Sequence, residues 1–132
     1  MPRNEKEEIL LLATEAREVD GAQTVNFRVP QGAGGILVID VTARAGATTL
    51  TPKLTMLSED EDYTWTFDLW TATAAIDSAD TTAAYCFYPG AEDTEADYTE
   101  EVNMALPVKC KLTVTHSDTA SITYSAHFVA VS

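Results

Sequence analysis

The chain has 132 residues, enough for one domain with a real core and too few for two ordinary ones. Its 45% hydrophobic content fits a folded chain rather than a disordered one, and no stretch of about twenty apolar residues is present to cross a membrane as a helix. Against 8 basic residues stand 21 acids, a formal net charge of −13 that argues against nucleic acid and anionic membrane as partners, because either would be repelled.

The opening Met1-Pro2-Arg3-Asn4-Glu5-Lys6-Glu7-Glu8 places acids ahead of a short apolar run, the wrong order for a secretory signal, so synthesis and folding in a cytoplasm are expected. Residues 1–19 read as an amino-terminal arm and first element, and 20–132 as the body of a single domain. Leu10 to Val19 fits either a helix, through its Glu, Leu and Ala, or a strand, because Ile9 to Leu12 is a continuous apolar block followed by alternation. Asp20-Gly21 marks a turn, and Val25, Phe27 and Val29 then alternate up to Pro30.

Ile36 to Arg44 starts apolar on both faces, the mark of a central strand. Leu50, Pro52, Leu54 and Met56 share one face of the next strand, where a proline without an amide hydrogen suggests an edge or a bulge. After the acidic run Glu59-Asp60-Glu61-Asp62, the residues Tyr63, Trp65, Phe67 and Leu69 alternate with polar ones and read as a core face. Trp70 then falls on the opposite face and is expected to be exposed or interfacial. Thr82 to Tyr88 is a further strand closed by the turn dipeptide Pro89-Gly90. A second acidic stretch, with Glu92, Asp93, Glu95, Asp97, Glu100 and Glu101, reads as a long loop or short helical excursion. No basic residue lies between Lys53 and Lys109, so the middle of the chain builds a negative surface.

The period-two signal is clearest at the end. Val108, Cys110, Leu112 and Val114 share one face of a strand, and Ile122, Tyr124, Ala126, Phe128 and Ala130 share one face of the next. The short, turn-rich Ser117 to Ser121 suggests that the two form an antiparallel hairpin. With about seven or eight short strands and no convincing helix, the expected fold is all-β: a single antiparallel β-sandwich of jelly-roll type.

Candidate chemistry is sparse. Cys86 and Cys110 lack the spacing and companions of a zinc site and read as buried reduced thiols. His116 and His127 read as strand-end or surface histidines, and His116, Ser117 and Asp118, as sequence neighbours on a strand, point apart and cannot form a relay. Ser58 to Asp62 and Glu92 to Asp97 offer carboxylates to calcium, but without the glycine and spacing of an EF-hand. No catalytic residue, metal ligand or cofactor is therefore assigned. The possible interface residues are Ile9, Leu10, Leu12 and Trp70.

The order Val38-Ile39-Asp40-Val41-Thr42-Ala43, Leu50-Thr51-Pro52-Lys53-Leu54, Tyr88-Pro89-Gly90, Leu106-Pro107, Leu112-Thr113-Val114-Thr115-His116 and Ser121-Ile122-Thr123-Tyr124-Ser125 resembles small structural proteins of tailed bacteriophages. The resemblance runs from about Gly35 to Ser125. It departs at Cys110, where similar sequences often carry Trp, and in the longer acidic insert from Ala91 to Glu101. It implies a non-enzymatic β-sandwich of the virion that decorates or cements the capsid by repeated contacts with the major capsid protein, as a homo-oligomer assembled in the host cytoplasm. It also implies that Leu10 to Val19 is a strand, and that Arg3, Lys6 and Ile9 to Leu12 could form an arm reaching a neighbouring subunit. The alternatives are a head-fibre base, connector or tail protein and, in a different class, a carbohydrate- or calcium-binding module.

Overall fold

In the computed structural model, residues 6–30, 34–90 and 98–131 are described, and they contain nine strands and no α-helix. These are β1 (Lys6–Arg17), β2 (Ala22–Arg28), β3 (Gly35–Arg44), β4 (Leu50–Leu57), β5 (Thr66–Thr71), β6 (Thr81–Tyr88), β7 (Glu100–Asn103), β8 (Lys109–His116) and β9 (Ile122–Val131). One sheet has the order β1-β9-β3-β6-β7 and the other β2-β8-β4-β5.

The topology is that of a long antiparallel ribbon rolled on itself. Its rungs are β1 with β9, β2 with β8, β3 with β6 and β4 with β5. The roll closes where β3 also pairs with β9, and β4 with β8. This is the jelly-roll arrangement expected from the strand count. The addition to it is β7, which pairs in parallel with β6 at the edge of the larger sheet. The acidic stretch read as a loop or helix thus ends in a strand at Glu100–Asn103, while residues 91–97 lie outside the described ones.

The ambiguous amino-terminal segment is strand throughout β1, so Ile9 to Leu12 are not an arm but part of the sheet, in register with β9. Arg3 lies outside the described residues. The expected hairpin of the last two strands is not formed, because β8 and β9 lie in different sheets. Each does have one apolar face: Cys110, Leu112 and Val114 on β8, and Ile122, Tyr124, Ala126, Phe128 and Ala130 on β9, are all buried. Alternation reports which face is covered. It does not say whether two covered faces lie side by side or opposite one another.

Between the sheets, Leu37, Ile39, Val41, Leu50, Leu54, Leu112, Val114 and Phe128 are fully buried, each contributing about 1.5–3 kcal/mol through removal from water. Phe27 of β2 meets Phe128 of β9 with ring centroids 5.2 Å apart, tying the two layers together. Central β3 is as apolar inside as expected, while Ile36 and Val38 on its outer face are half-buried. Pro52 is not at a sheet edge, since β4 runs between β8 and β5. Its carbonyl accepts from the Ala72 amide at 2.9 Å, just past the end of β5, so the missing amide hydrogen falls where that ladder stops.

Candidate docking surface

Where the rolled ribbon folds back, between β4 and β5, residues 58–65 form a connection built around Asp60. The Asp62 amide donates to the Asp60 carboxylate at 2.9 Å, and the Tyr63 amide to the Asp60 carbonyl at 3.0 Å. The Ser58 hydroxyl donates to the same carbonyl at 3.0 Å, and the Ser58 amide to the Trp65 carbonyl at 3.3 Å. These bonds spend backbone donors on one aspartate and leave Glu59, Glu61 and Asp62 in solvent.

The returning arm carries Tyr63, Trp65 and Phe67, which are 62%, 50% and 63% exposed. The expectation that these rings belong to the core is therefore overturned. The alternation itself was sound for Phe67, which pairs with Met56, and Met56 in turn with fully buried Cys110. Residues opposite one another on paired strands point to the same side, so Phe67 lies on the core-facing side of its sheet. At this corner, however, that side is open to water.

Trp70 is corrected in the opposite sense. A register shift lets Leu54 pair with Trp70 while Thr55 pairs with Asp68, leaving Leu69 as the extra residue of a bulge. The bulge turns Trp70 inward, where it packs on Tyr85 and Phe87 of β6 with both centroid separations 4.9 Å. Its indole Nε1 donates to Glu100 Oε1 at 3.3 Å, and Glu100 also accepts from the Thr73 amide at 2.8 Å. Glu100 thereby ties β7 of one sheet to the edge of the other. Of the remaining sequence-assigned interface residues, Leu10 is 57% exposed, Ile9 is partly buried and Leu12 is buried in the core. The four do not come together: Trp70 lies on β5 and the others on β1.

At the far end of the roll lies a buried polar node. Arg17 closes β1 with Nη1 donating to the Tyr124 carbonyl at 2.5 Å and Nη2 to the Ala13 carbonyl at 2.6 Å. Its guanidinium sits 4.5 Å from the centroid of the Tyr124 ring. The hydroxyl of Tyr124 shares a 2.8 Å hydrogen bond with His116 Nε2. His116 is thus buried rather than on the surface, and its pKa is pushed down, by desolvation first and by Arg17 second. Burial also raises Tyr124 to about 12.

His127 lies 3.6 Å from a Glu8 carboxylate oxygen and 3.1 Å from the Ser125 hydroxyl. The neighbours of His116 are engaged separately. Ser117 Oγ accepts from the Thr49 amide at 2.8 Å, and Asp118 accepts from the Thr48 hydroxyl and the Ala120 amide. Cys86 and Cys110 are free, buried thiols, and burial lifts Cys110 to about 12, so neither presents a thiolate. Among the described residues, no three His, Cys, Asp or Glu side chains gather at one point. No helix is long and apolar enough to cross a membrane.

The docking features that sequence reasoning missed are the three rings. The available signal was position, since Tyr63 directly follows four acids that hold that end of the arm in water. No protein-family model and no curated protein matches this chain. Among solved structures, a chain in the structure of infectious bursal disease virus Gx strain is similar over 97% of this chain, with 14% sequence identity and a TM-score of 0.43. This chain spans about a third (32%) of the length of that viral chain.

Proposed function

We propose that this chain is a non-enzymatic structural protein of a tailed-phage virion, one that decorates or cements the shell by repeated contacts with the major capsid protein. The observation that carries the reading is the exposure of Tyr63, Trp65 and Phe67 on one hairpin arm of an otherwise well-buried sandwich. Large rings held in water at one corner are the side chains that anchor protein interfaces. The polar groups that a catalytic relay would need are engaged elsewhere: His116 with Tyr124, Ser117 with Thr49, and Asp118 with Thr48. The sequence resemblance and the jelly-roll topology point the same way, and the acidity suits the outside of a particle better than a face packed on its nucleic acid. Many copies on a lattice, as a homo-oligomer or singly, turn modest contacts into firm attachment.

A head-fibre base, connector or tail protein would use the same surface at a unique vertex. The exposed rings also favour a second class, a carbohydrate-binding module, because sugars stack on aromatic faces and lectins share the jelly roll. Sedimenting the purified protein with heads that lack it separates these readings. Saturable co-sedimentation at many copies per head is expected. Binding to glycans and none to heads would replace the virion role with the lectin role.

A further inference from the structure

We propose that the β4–β5 end of the roll is the docking face, and that its partner is a basic protein surface in which arginine or lysine side chains border an apolar pocket. This rests on the virion reading above and names the chemistry of its partner.

Two independent features meet on the hairpin. The first is apolar: Tyr63, Trp65 and Phe67 stand at alternate positions of one arm, and Phe67 lies on the open core-facing side beside half-buried Met56. The other large exposed hydrophobics among the described residues, Leu10 and Tyr88, lie on β1 and β6 and add nothing to this surface. The second is charge. Glu59, Asp60, Glu61 and Asp62 are exposed beside the rings, within a stretch that has no base from residue 54 to residue 108. Lys53 on the neighbouring strand is held by Asp68 at 3.1 Å, so it does not neutralise the tip.

Rings and carboxylates side by side select a cation that can both stack and pair, which the arginine guanidinium does best. Nucleic acid and anionic lipid are repelled by the same acids. A second copy of this chain would bring another −13 to the contact, so self-association through this face is disfavoured.

The test uses the full chain and heads lacking it, in co-sedimentation at salt from about 50 to about 500 mM. Wild type is expected to bind heads and to lose affinity as salt rises. Trp65→Ala with Phe67→Ala should weaken binding by about tenfold or more, as loss of interface anchors does. Asp60→Asn, Glu61→Gln and Asp62→Asn together should weaken binding at low salt and flatten its salt dependence. Unchanged thermal melting would verify that either variant still folds. If wild type binds and both variants bind equally well with the same salt slope, the docking face is elsewhere, while the virion reading stands. If wild type itself fails to bind, the virion reading falls and this inference with it.

Discussion

Arg17 brings a charge into the space closed by β1 and β9, and the chain around it is arranged to receive it. The ladder between β1 and β9 slips twice, between Leu10 and Leu12 and between Leu12 and Glu15, which leaves carbonyls along β1 without cross-strand partners. The guanidinium returns to two of them, on Ala13 at 2.6 Å and on Glu15 at 3.2 Å, and lies over the Tyr124 ring. His116 shares this enclosure, and Arg17, Glu15 and Tyr124 are the charged and titratable groups around it. Because its folded pKa is depressed, the unfolded chain takes up a proton below about pH 6.5 that the folded chain resists. Stability is thus unaffected by His116 above that pH and falls as pH drops through it. Melting temperatures at about pH 7.5 and about pH 5.5 should differ more for wild type than for His116→Gln, and equal differences would contradict this role. Gly35 makes a second residue-level case. A Cβ there would lie 2.7 Å from Phe128 Cζ and closer still to the Val129 carbonyl, so Gly35→Ala should cost roughly 1–3 kcal/mol or more in denaturant unfolding.

Among the elements, the edge strands β5 and β7 depend on each other. Glu100 reaches from β7 to the indole of Trp70 and to the amide and hydroxyl of Thr73. Glu100→Ala should therefore lower stability by about 1–3 kcal/mol and shift the tryptophan emission, since Trp70 loses its partner while Trp65 is untouched. A variant with wild-type stability and emission would show that the tie carries nothing. The same region explains how far the sequence could be read. Alternation correctly identified the buried faces of β3, β8 and β9, since their registers hold over the residues that matter. It failed at β5 for two physical reasons. One bulged residue, Leu69, reverses the face of everything beyond it, bringing Trp70 inside. The core-facing side also stays open at the corner, leaving Phe67 in water. A local pattern holds neither the bulge nor the reach of the facing sheet. The relation of β8 to β9 was hidden for a similar reason, because a five-residue connection serves a hairpin or a crossing between sheets equally well.

At the scale of the molecule, a rolled antiparallel ribbon buries one continuous core and leaves its two ends with different characters. The end near Arg17, His116 and Tyr124 is sealed by internal bonds, whereas the β4–β5 end offers rings and acids to solvent. The outer surface as a whole, at −13, keeps copies apart in solution, so attachment is expected where a complementary surface repeats. Trp65→Ala and Phe67→Ala should change unfolding free energy by no more than about 0.5 kcal/mol each, as substitutions at exposed positions do. A much larger loss would mean that these rings hold the fold rather than await a partner. The most direct test of the virion role is electron cryo-microscopy of heads lacking this chain after incubation with the purified protein. The account predicts added density at lattice symmetry axes, with the β4–β5 hairpin against the shell. Heads that remain bare, or density restricted to one vertex, would contradict a decorating role.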